Sequence, residues 1–211
     1  MKKAVLFDLD GTLVDTAEFI YQAYEYALSF HKLEVVKREA LAPLIGHGLE
    51  VIYQTIAPKG DHKSLVDTHI SFQEERFHLI KSFPSIISVI RKLKNLGFKI
   101  GVVTSRMKNT SKTLKASGMN EDLFDVIVTG DQVSNPKPHP EGVIIALKKL
   151  NIKPDNALMV GDATADIEMG KNAGVKTVGV TYGFGGKNIA KSNPDFVIDD
   201  LEELLKVLKY S

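Results

Sequence analysis

The sequence predicts an α/β fold: a doubly wound parallel sheet that carries an inserted all-helical domain. Three observations predict it. Short continuous apolar runs rich in Val and Ile recur along the chain, amphipathic helical stretches separate most of them, and a long interval after the first run holds helical patterns alone. Continuous apolar runs fit strands covered on both faces, and their alternation with helices fits parallel strands joined by helical crossovers.

The first run is "AVLF" at 4–7, which leads into Asp8 and Asp10. More than 80 residues without a strand signal follow, and 16–80 read as several helices. Asp15 and Glu18 resemble an N-terminal box for a helix with Phe19, Ile20, Ala23, Ala27 and Leu28 at helical spacing. Val51, Ile52, Thr55 and Ile56 form another stripe, and Val66, Ile70, Phe77 and Ile80 a further one. This divides the chain into a core of residues 1–15 and 81–211 and a helical insert at 16–80.

In the second part of the core, "PSIISVIRKLKNLG" has Pro84 near its start and Gly97 just past its end, with Ile86, Val89, Ile90 and Leu93 on one face. Strand runs follow at "IGVVT" (100–104) and "VIVT" (126–129). "PEGVIIALKKLN" repeats the helical pattern with Val143, Ile144, Leu147 and Leu150. The runs "ALMVG" (157–161), "TVGV" (177–180) and "FVI" (196–198) complete the sheet. The stretch "GFGGK" at 183–187 invites a nucleotide-loop reading, but Thr181 stands where a P-loop needs its first glycine, and a flexible loop is expected instead.

Composition narrows the partners. The chain has 211 residues, 27 basic and 26 acidic, for a net charge of +1. That balance leaves no electrostatic footprint for nucleic acid or an anionic membrane. The absence of cysteine rules out disulfides, thiolate metal sites and cysteine nucleophiles. Lys2 and Lys3 precede only four apolar residues before Asp8, too few for the apolar core of a signal peptide, and no apolar run reaches transmembrane length. A cytoplasmic location is the default expectation, and the oligomeric state is not legible.

Four groups fall at carboxyl ends of the expected strands, where open α/β sheets bind ligands. Asp8 and Asp10 are two apart, so a strand continuing through them points both side chains one way. Two like charges about 4 Å apart repel by about 4 kcal/mol at an effective dielectric of about 20, which a divalent cation relieves. Thr104 and Ser105 place hydroxyls where they can donate to phosphate oxygens. Lys137 in "NPKPHP" is flanked by prolines that restrict its backbone. In "VGDATADIEMGKNAG", Asp162 and Asp166 are four apart and share a face if a helix starts there. Oxygen ligands without Cys or a clear His partner favour magnesium over zinc.

Each group alone has a plainer reading: an Asp-Gly turn, a polar loop start, an exposed Pro-rich turn, an acidic helix N-terminus. In this order, however, they bring three carboxylates, a hydroxyl and a lysine to one edge of one sheet, a set that can hold a magnesium ion and a phosphate dianion.

"DLDGTLVDT", "VVTSR", the lysine of "NPKPHP" and "GDATADIEMGKNAG" together resemble the four ordered motifs of the haloacid dehalogenase-like phosphatases. The resemblance spans essentially the whole chain, implies that family's Rossmann-like core, and points to the phosphoglycolate phosphatase-like branch, whose helical cap follows the first motif. One departure is Ala163, where many relatives have serine, and it is not expected to remove a ligand. By motif position Asp8 would be the nucleophile that forms an aspartyl-phosphate, and Asp10 would protonate the leaving oxygen and deprotonate water. Magnesium would be held by Asp8, the backbone carbonyl of Asp10 and Asp162. Thr104, Ser105 and Lys137 would bind phosphoryl oxygens, and Asp166 would orient Lys137 or metal-bound water. His47, in the cap loop "LIGHGLE", would contact the leaving group, unless it is an exposed residue of a helix–helix turn.

The implied partner is a small phosphorylated metabolite, with phosphoglycolate the first expectation. An Asp at position 10 favours phosphate esters or anhydrides over carbon–halogen or carbon–phosphorus bonds. An inorganic pyrophosphatase and a phosphosugar mutase of the same superfamily share all four motifs and stay open as alternatives. A phospho-Asp receiver-type signalling module is disfavoured, because those domains are shorter, lack the insert and accept phosphate on a later strand.

Overall fold

The structure is a computed structural model that describes residues 3–208. Its strands are β1 (Ala4–Phe7), β2 (Val14–Asp15), β3 (Lys81–Ser82), β4 (Lys99–Val103), β5 (Val126–Val128), β6 (Ala157–Gly161), β7 (Lys176–Val180) and β8 (Phe196–Ile198). Its α-helices are α1 (Ala17–Phe30), α2 (Arg38–Leu41), α3 (Leu49–Ile56), α4 (His62–Glu74), α5 (Ile86–Asn95), α6 (Thr110–Ala116), α7 (Glu141–Leu150), α8 (Thr164–Asn172) and α9 (Leu204–Val207).

Six strands form one parallel sheet in the order β5-β4-β1-β6-β7-β8. From β1 the chain builds outward through β4 and β5, then returns to the other side of β1 and continues through β6, β7 and β8. The reversal of strand order opens a crevice between the carboxyl ends of β1 and β6, the usual ligand site of such sheets. Phe7 pairs with both Val102 and Val160, so Asp8, Thr104 and Asp162 emerge at the same edge.

The strands are buried on both faces, as their unbroken apolar runs require. Val5 and Phe7 join the core on the face covered by α5 and α9, while Ala4 and Leu6 join the smaller core on the face covered by α7 and α8. The period of two follows from the pleat. Helix α5 buries the expected Ile86, Val89, Ile90 and Leu93, each worth about 1.5–3 kcal/mol in removal of apolar surface from water. Helix α7 is turned relative to expectation: it buries Gly142, Val143, Ala146 and Leu147, and Ile144 is exposed. Gly142 explains the turn, because a side chain there would meet Val103 of the sheet.

Residues 17–74 hold helices α1 to α4, with α1 packed along α4. The interval expected to lack strands holds two, β2 and β3, which pair antiparallel through Val14–Ser82 and Asp15–Lys81 where the chain leaves the core and returns to it. Two residues each are too few for a periodic signal. Three further expectations are corrected here. Asp15 accepts from the Ala17 N–H at 3.1 Å, but Glu18 turns outward to Arg38 instead of closing a capping box. Helix α3 buries Ile52 and Tyr53 and leaves Val51 exposed. Helix α4 buries Leu65, His69 and Gln73, one position off the apolar stripe, and ends before Phe77 and Ile80.

Candidate active site

The β1 ladder runs one residue past the strand, since Asp8 N donates to Val160 O at 2.9 Å; likewise Thr104 N donates to Val128 O at 3.0 Å beyond β4. The sheet itself therefore fixes the backbone of both residues. Asp8, Thr104, Lys137, Asp162 and Asp166 are all buried.

Lys137 ties the group together. Its Nζ lies 2.5 Å from Asp8 Oδ1 and 2.7 Å from Asp166 Oδ1. Burial alone would lower its pKa, but the Asp166 and Asp8 carboxylates outweigh that effect and hold it above the ordinary lysine value. Asp166, in the first turn of α8, also accepts from the Ala163 N–H at 3.1 Å, which anchors the carboxylate that aims the lysine.

Asp162 accepts from Thr12 Oγ1 at 2.9 Å and from the Phe184 N–H at 2.7 Å. The loop expected to be flexible is thus part of the site. Gly183 packs so closely on Asp162 and on the Gly11 carbonyl that no side chain fits. Phe184 meets the Tyr21 ring edge-on, and Tyr182 donates to the Thr12 carbonyl at 3.0 Å. Of the glycines of "GFGGK", Gly183 and Gly185 permit close backbone approach to Asp162, and Gly186 takes a positive φ.

Three buried carboxylates and one ammonium leave two uncompensated negative charges. Burial, then the Asp166 carboxylate, push Asp162 up to about 7. Burial likewise raises Asp8 well above the carboxylate range, against the pull of Lys137 and with the push of Asp166 and Asp162. Carboxylate oxygens of Asp8, Asp162 and Asp166 lie within 4.8 Å of one another, and they form the one such group of potential ligands among the described residues. An all-oxygen set with excess negative charge fits a hard divalent cation. Each oxygen of Asp162 and of Asp166 accepts one hydrogen bond, from Thr12 and Phe184 and from Lys137 and Ala163, while Asp8 engages Lys137 through Oδ1 alone and so keeps the freest oxygen for a cation.

Asp10 was expected beside Asp8, and its side chain is aimed elsewhere. Both its oxygens accept from Arg106, at 2.6 Å from one guanidinium nitrogen and 3.1 Å from Nε. Arg106 follows directly on the Thr104–Ser105 pair, and sequence reasoning missed it; a cation next to a hydroxyl expected to bind phosphate was the available signal. Ser105 is not open toward a phosphate: its hydroxyl donates to the Gly46 carbonyl of the cap loop at 2.7 Å. His47 lines a cavity of about 160 Å³ that also reaches Asp8, Asp10, Thr104 and Arg106. The cavity's cap side includes Ile20, Tyr24, Ile52 and the buried His69. His69 and its partners Tyr53 and Gln73 also went unread, because a polar face inside a helical bundle leaves no hydropathy signal.

A parallel α/β sheet with a buried carboxylate–lysine cluster at its switch point is the arrangement of a hydrolase of the α/β class. The chain belongs to the haloacid dehalogenase-like hydrolase family, whose model matches residues 5–180. Pyrophosphatase PpaX of Bacillus cereus strain Q1 is 37% identical over 207 residues, covering 97% of this chain and 95% of that protein. Among solved structures, a predicted phosphoglycolate phosphatase from Haemophilus somnus 129PT is similar at a TM-score of 0.90 and 28% identity, covering 98% of each chain. A predicted phosphatase from Clostridium acetobutylicum is similar at a TM-score of 0.88 and 26% identity, covering 100% of each. The expected fold class and enzyme class, a phosphatase of this family, are borne out. No helix among the described residues is long and apolar enough to cross a membrane.

Proposed function

We propose that the protein is a magnesium-dependent phosphatase that hydrolyses a small phosphorylated substrate through an aspartyl-phosphate on Asp8, with inorganic pyrophosphate as the first candidate. The observation that carries the reading is the buried triad of Asp8, Lys137 and Asp166 at the sheet's switch point. It presents one carboxylate and one fixed ammonium to the same small volume.

Asp8 attacks phosphorus with a carboxylate oxygen; the bond from phosphorus to the leaving oxygen breaks, and the leaving group departs with its electron pair. Lys137 and the Thr104 hydroxyl take the phosphoryl oxygens. Thr104 Oγ1 already accepts from the Arg106 N–H at 3.1 Å, which turns the hydroxyl proton outward to donate. In the second step Asp10 accepts a proton from water as water oxygen attacks phosphorus, and Asp8 is released with its bonding pair. Magnesium, held by Asp8, Asp162 and the Asp10 carbonyl, would neutralise charge on the phosphoryl group.

Pyrophosphate moves ahead of phosphoglycolate for two reasons. The relatives named pyrophosphatase share more identity with this chain. Phosphate is also a leaving group that needs little protonation, which suits an Asp10 whose oxygens both face Arg106. Phosphoglycolate remains the second reading, supported by the likeness to the Haemophilus structure across the cap as well as the core. The test is phosphate release from pyrophosphate, phosphoglycolate and other phosphorylated metabolites, with and without magnesium. Absence of release from all of them defeats the proposal.

A further inference from the structure

We propose that Arg106 determines specificity by recognising a negatively charged leaving group, and that in doing so it exchanges Asp10 for that group. The inference rests on Asp8 being the nucleophile, because that choice sets which end of the substrate faces Asp10 and Arg106.

Four observations support it. First, the Arg106 guanidinium binds Asp10 through two hydrogen bonds in a fork, with side-chain exposures of 10% and 17%. A guanidinium fork matches phosphate and carboxylate equally well, so a substrate oxyanion can take the place of Asp10 without a change of geometry. Second, the backbone of Arg106 is pinned from both sides: its N–H donates to Thr104 Oγ1 at 3.1 Å and its carbonyl accepts from Gly130 N at 3.0 Å. Gly130 packs against the Ser105 carbonyl too closely for any side chain. Only the side chain is left to move.

Third, the guanidinium lies 5.5 Å from the centre of the Phe19 ring on cap helix α1, a face along which it can slide while keeping a cation–π contact. Fourth, the cap wall of the cavity is apolar apart from His47, Tyr24, His69 and Gln73 and carries no lysine or arginine, so Arg106, with Lys108 beside it, supplies the permanent positive charge a leaving anion would need there. While Arg106 holds both oxygens of Asp10, neither oxygen presents a proton to a leaving group. When the fork moves to the substrate, Asp10 is freed to face the reacting oxygen. Charge on the leaving group would thereby complete the catalytic arrangement.

The source of the anion, phosphate or carboxylate, is distinguished by three probes in magnesium buffer. Imidodiphosphate ends in phosphate, 3-phosphonopropionate ends in carboxylate, and ethylphosphonate has no second anionic group. Titration calorimetry of Arg106→Gln should show at least a tenfold loss of affinity for one of the two anion-ended probes, and less than a threefold loss for ethylphosphonate. The probe that loses more identifies the leaving anion. Asp10→Asn should bind that probe more tightly than wild type, and the gain should vanish in the Asp10→Asn/Arg106→Gln double variant. Arg106→Lys, which keeps the charge without the fork, should fall between wild type and Arg106→Gln.

Equal losses on all three probes overturn the specificity role. A gain from Asp10→Asn that survives in the double variant overturns the exchange, because it would then reflect only relief of repulsion. Wild-type protein that binds the probes in this pattern but releases no phosphate from any substrate would defeat the proposed function and leave the recognition role standing.

Discussion

Lys137 Nζ lies 2.7 Å from Asp166 Oδ1, and the two side chains are 4% and 1% exposed. A buried ammonium with an anchored carboxylate behind it points at Asp8 with little freedom. Removal of Lys137 leaves buried carboxylates unpaired, which typically costs about 3–5 kcal/mol. Lys137→Ala is therefore expected to lower stability on that order, read by urea unfolding, and to lower kcat at saturating pyrophosphate by at least about a hundredfold. Asp166→Asn keeps the size but loosens the aim, and should lower kcat about 10–100-fold. A Lys137→Ala enzyme with a raised KM and unchanged kcat would make Lys137 a binding residue only.

The excess of negative charge among Asp8, Asp162 and Asp166 makes a second expectation. A cation that binds only the folded protein stabilises it by mass action, by about 2.7 kcal/mol at a hundred times its Kd. Magnesium should raise the Tm of the chelator-treated protein, Asp162→Asn should shrink that rise, and chelation should abolish turnover until magnesium is restored. A Tm indifferent to magnesium, with turnover intact after exhaustive chelation, would remove the metal from the proposal.

His69 provides a pH signature outside the catalytic cluster. With the Gln73 amide donating to Nε2 at 2.9 Å, the ring proton is on Nδ1 and faces the Tyr53 hydroxyl at 2.9 Å. Burial, helped by the charge of Arg106, lowers the pKa of His69 to about 3 from an ordinary 6.5. Between these values the unfolded chain binds the proton and the folded chain does not, so folding stability falls as pH drops from 6.5 toward 3. The loss is on the order of a few kcal/mol. His69→Gln should flatten that part of the profile of urea stability against pH. An unchanged slope would show that His69 is not held neutral by its surroundings.

What the sequence made legible follows from what leaves a pattern in it. The six sheet strands and the positions of Asp8, Thr104 and Asp162 were readable, because buried strands are continuous apolar runs and polar residues at their carboxyl ends stand out against them; Lys137, nine residues past β5, was marked instead by the prolines on either side of it. The partners of Asp162 were not. Phe184 contributes a backbone N–H, which no side chain announces, and the glycines beside it read equally well as a flexible loop. The register of α7 was misread because Ile144 is as apolar as Val143, and only the sheet residue facing Gly142 decides which of them turns inward. Asp10 was placed by its motif but its engagement by Arg106 was not, since that contact spans 96 positions and depends on where two strand ends meet.

The sharpest expectation concerns Asp10, to which one carboxyl is assigned two tasks. As an acid it helps a leaving oxygen depart, and as a base it takes a proton from the water that attacks the aspartyl-phosphate. A leaving group such as p-nitrophenolate needs little protonation, so Asp10→Asn should still transfer phosphate to Asp8 from p-nitrophenyl phosphate, though more slowly. The asparagine amide cannot accept the proton from water, so the second step should stall. The expected record is a burst of about one equivalent of p-nitrophenol per active site followed by little turnover, since an accumulating covalent enzyme gives burst kinetics. Intact-mass measurement should show one added phosphate, absent when Asp8→Asn is introduced as well. An alkyl phosphate should give much less adduct, because its leaving group needs the proton that asparagine lacks. Steady turnover near the wild-type rate, with neither burst nor adduct, would mean that Asp10 is not the proton carrier, and the assignment of the paired carboxylates after β1 would fall with it.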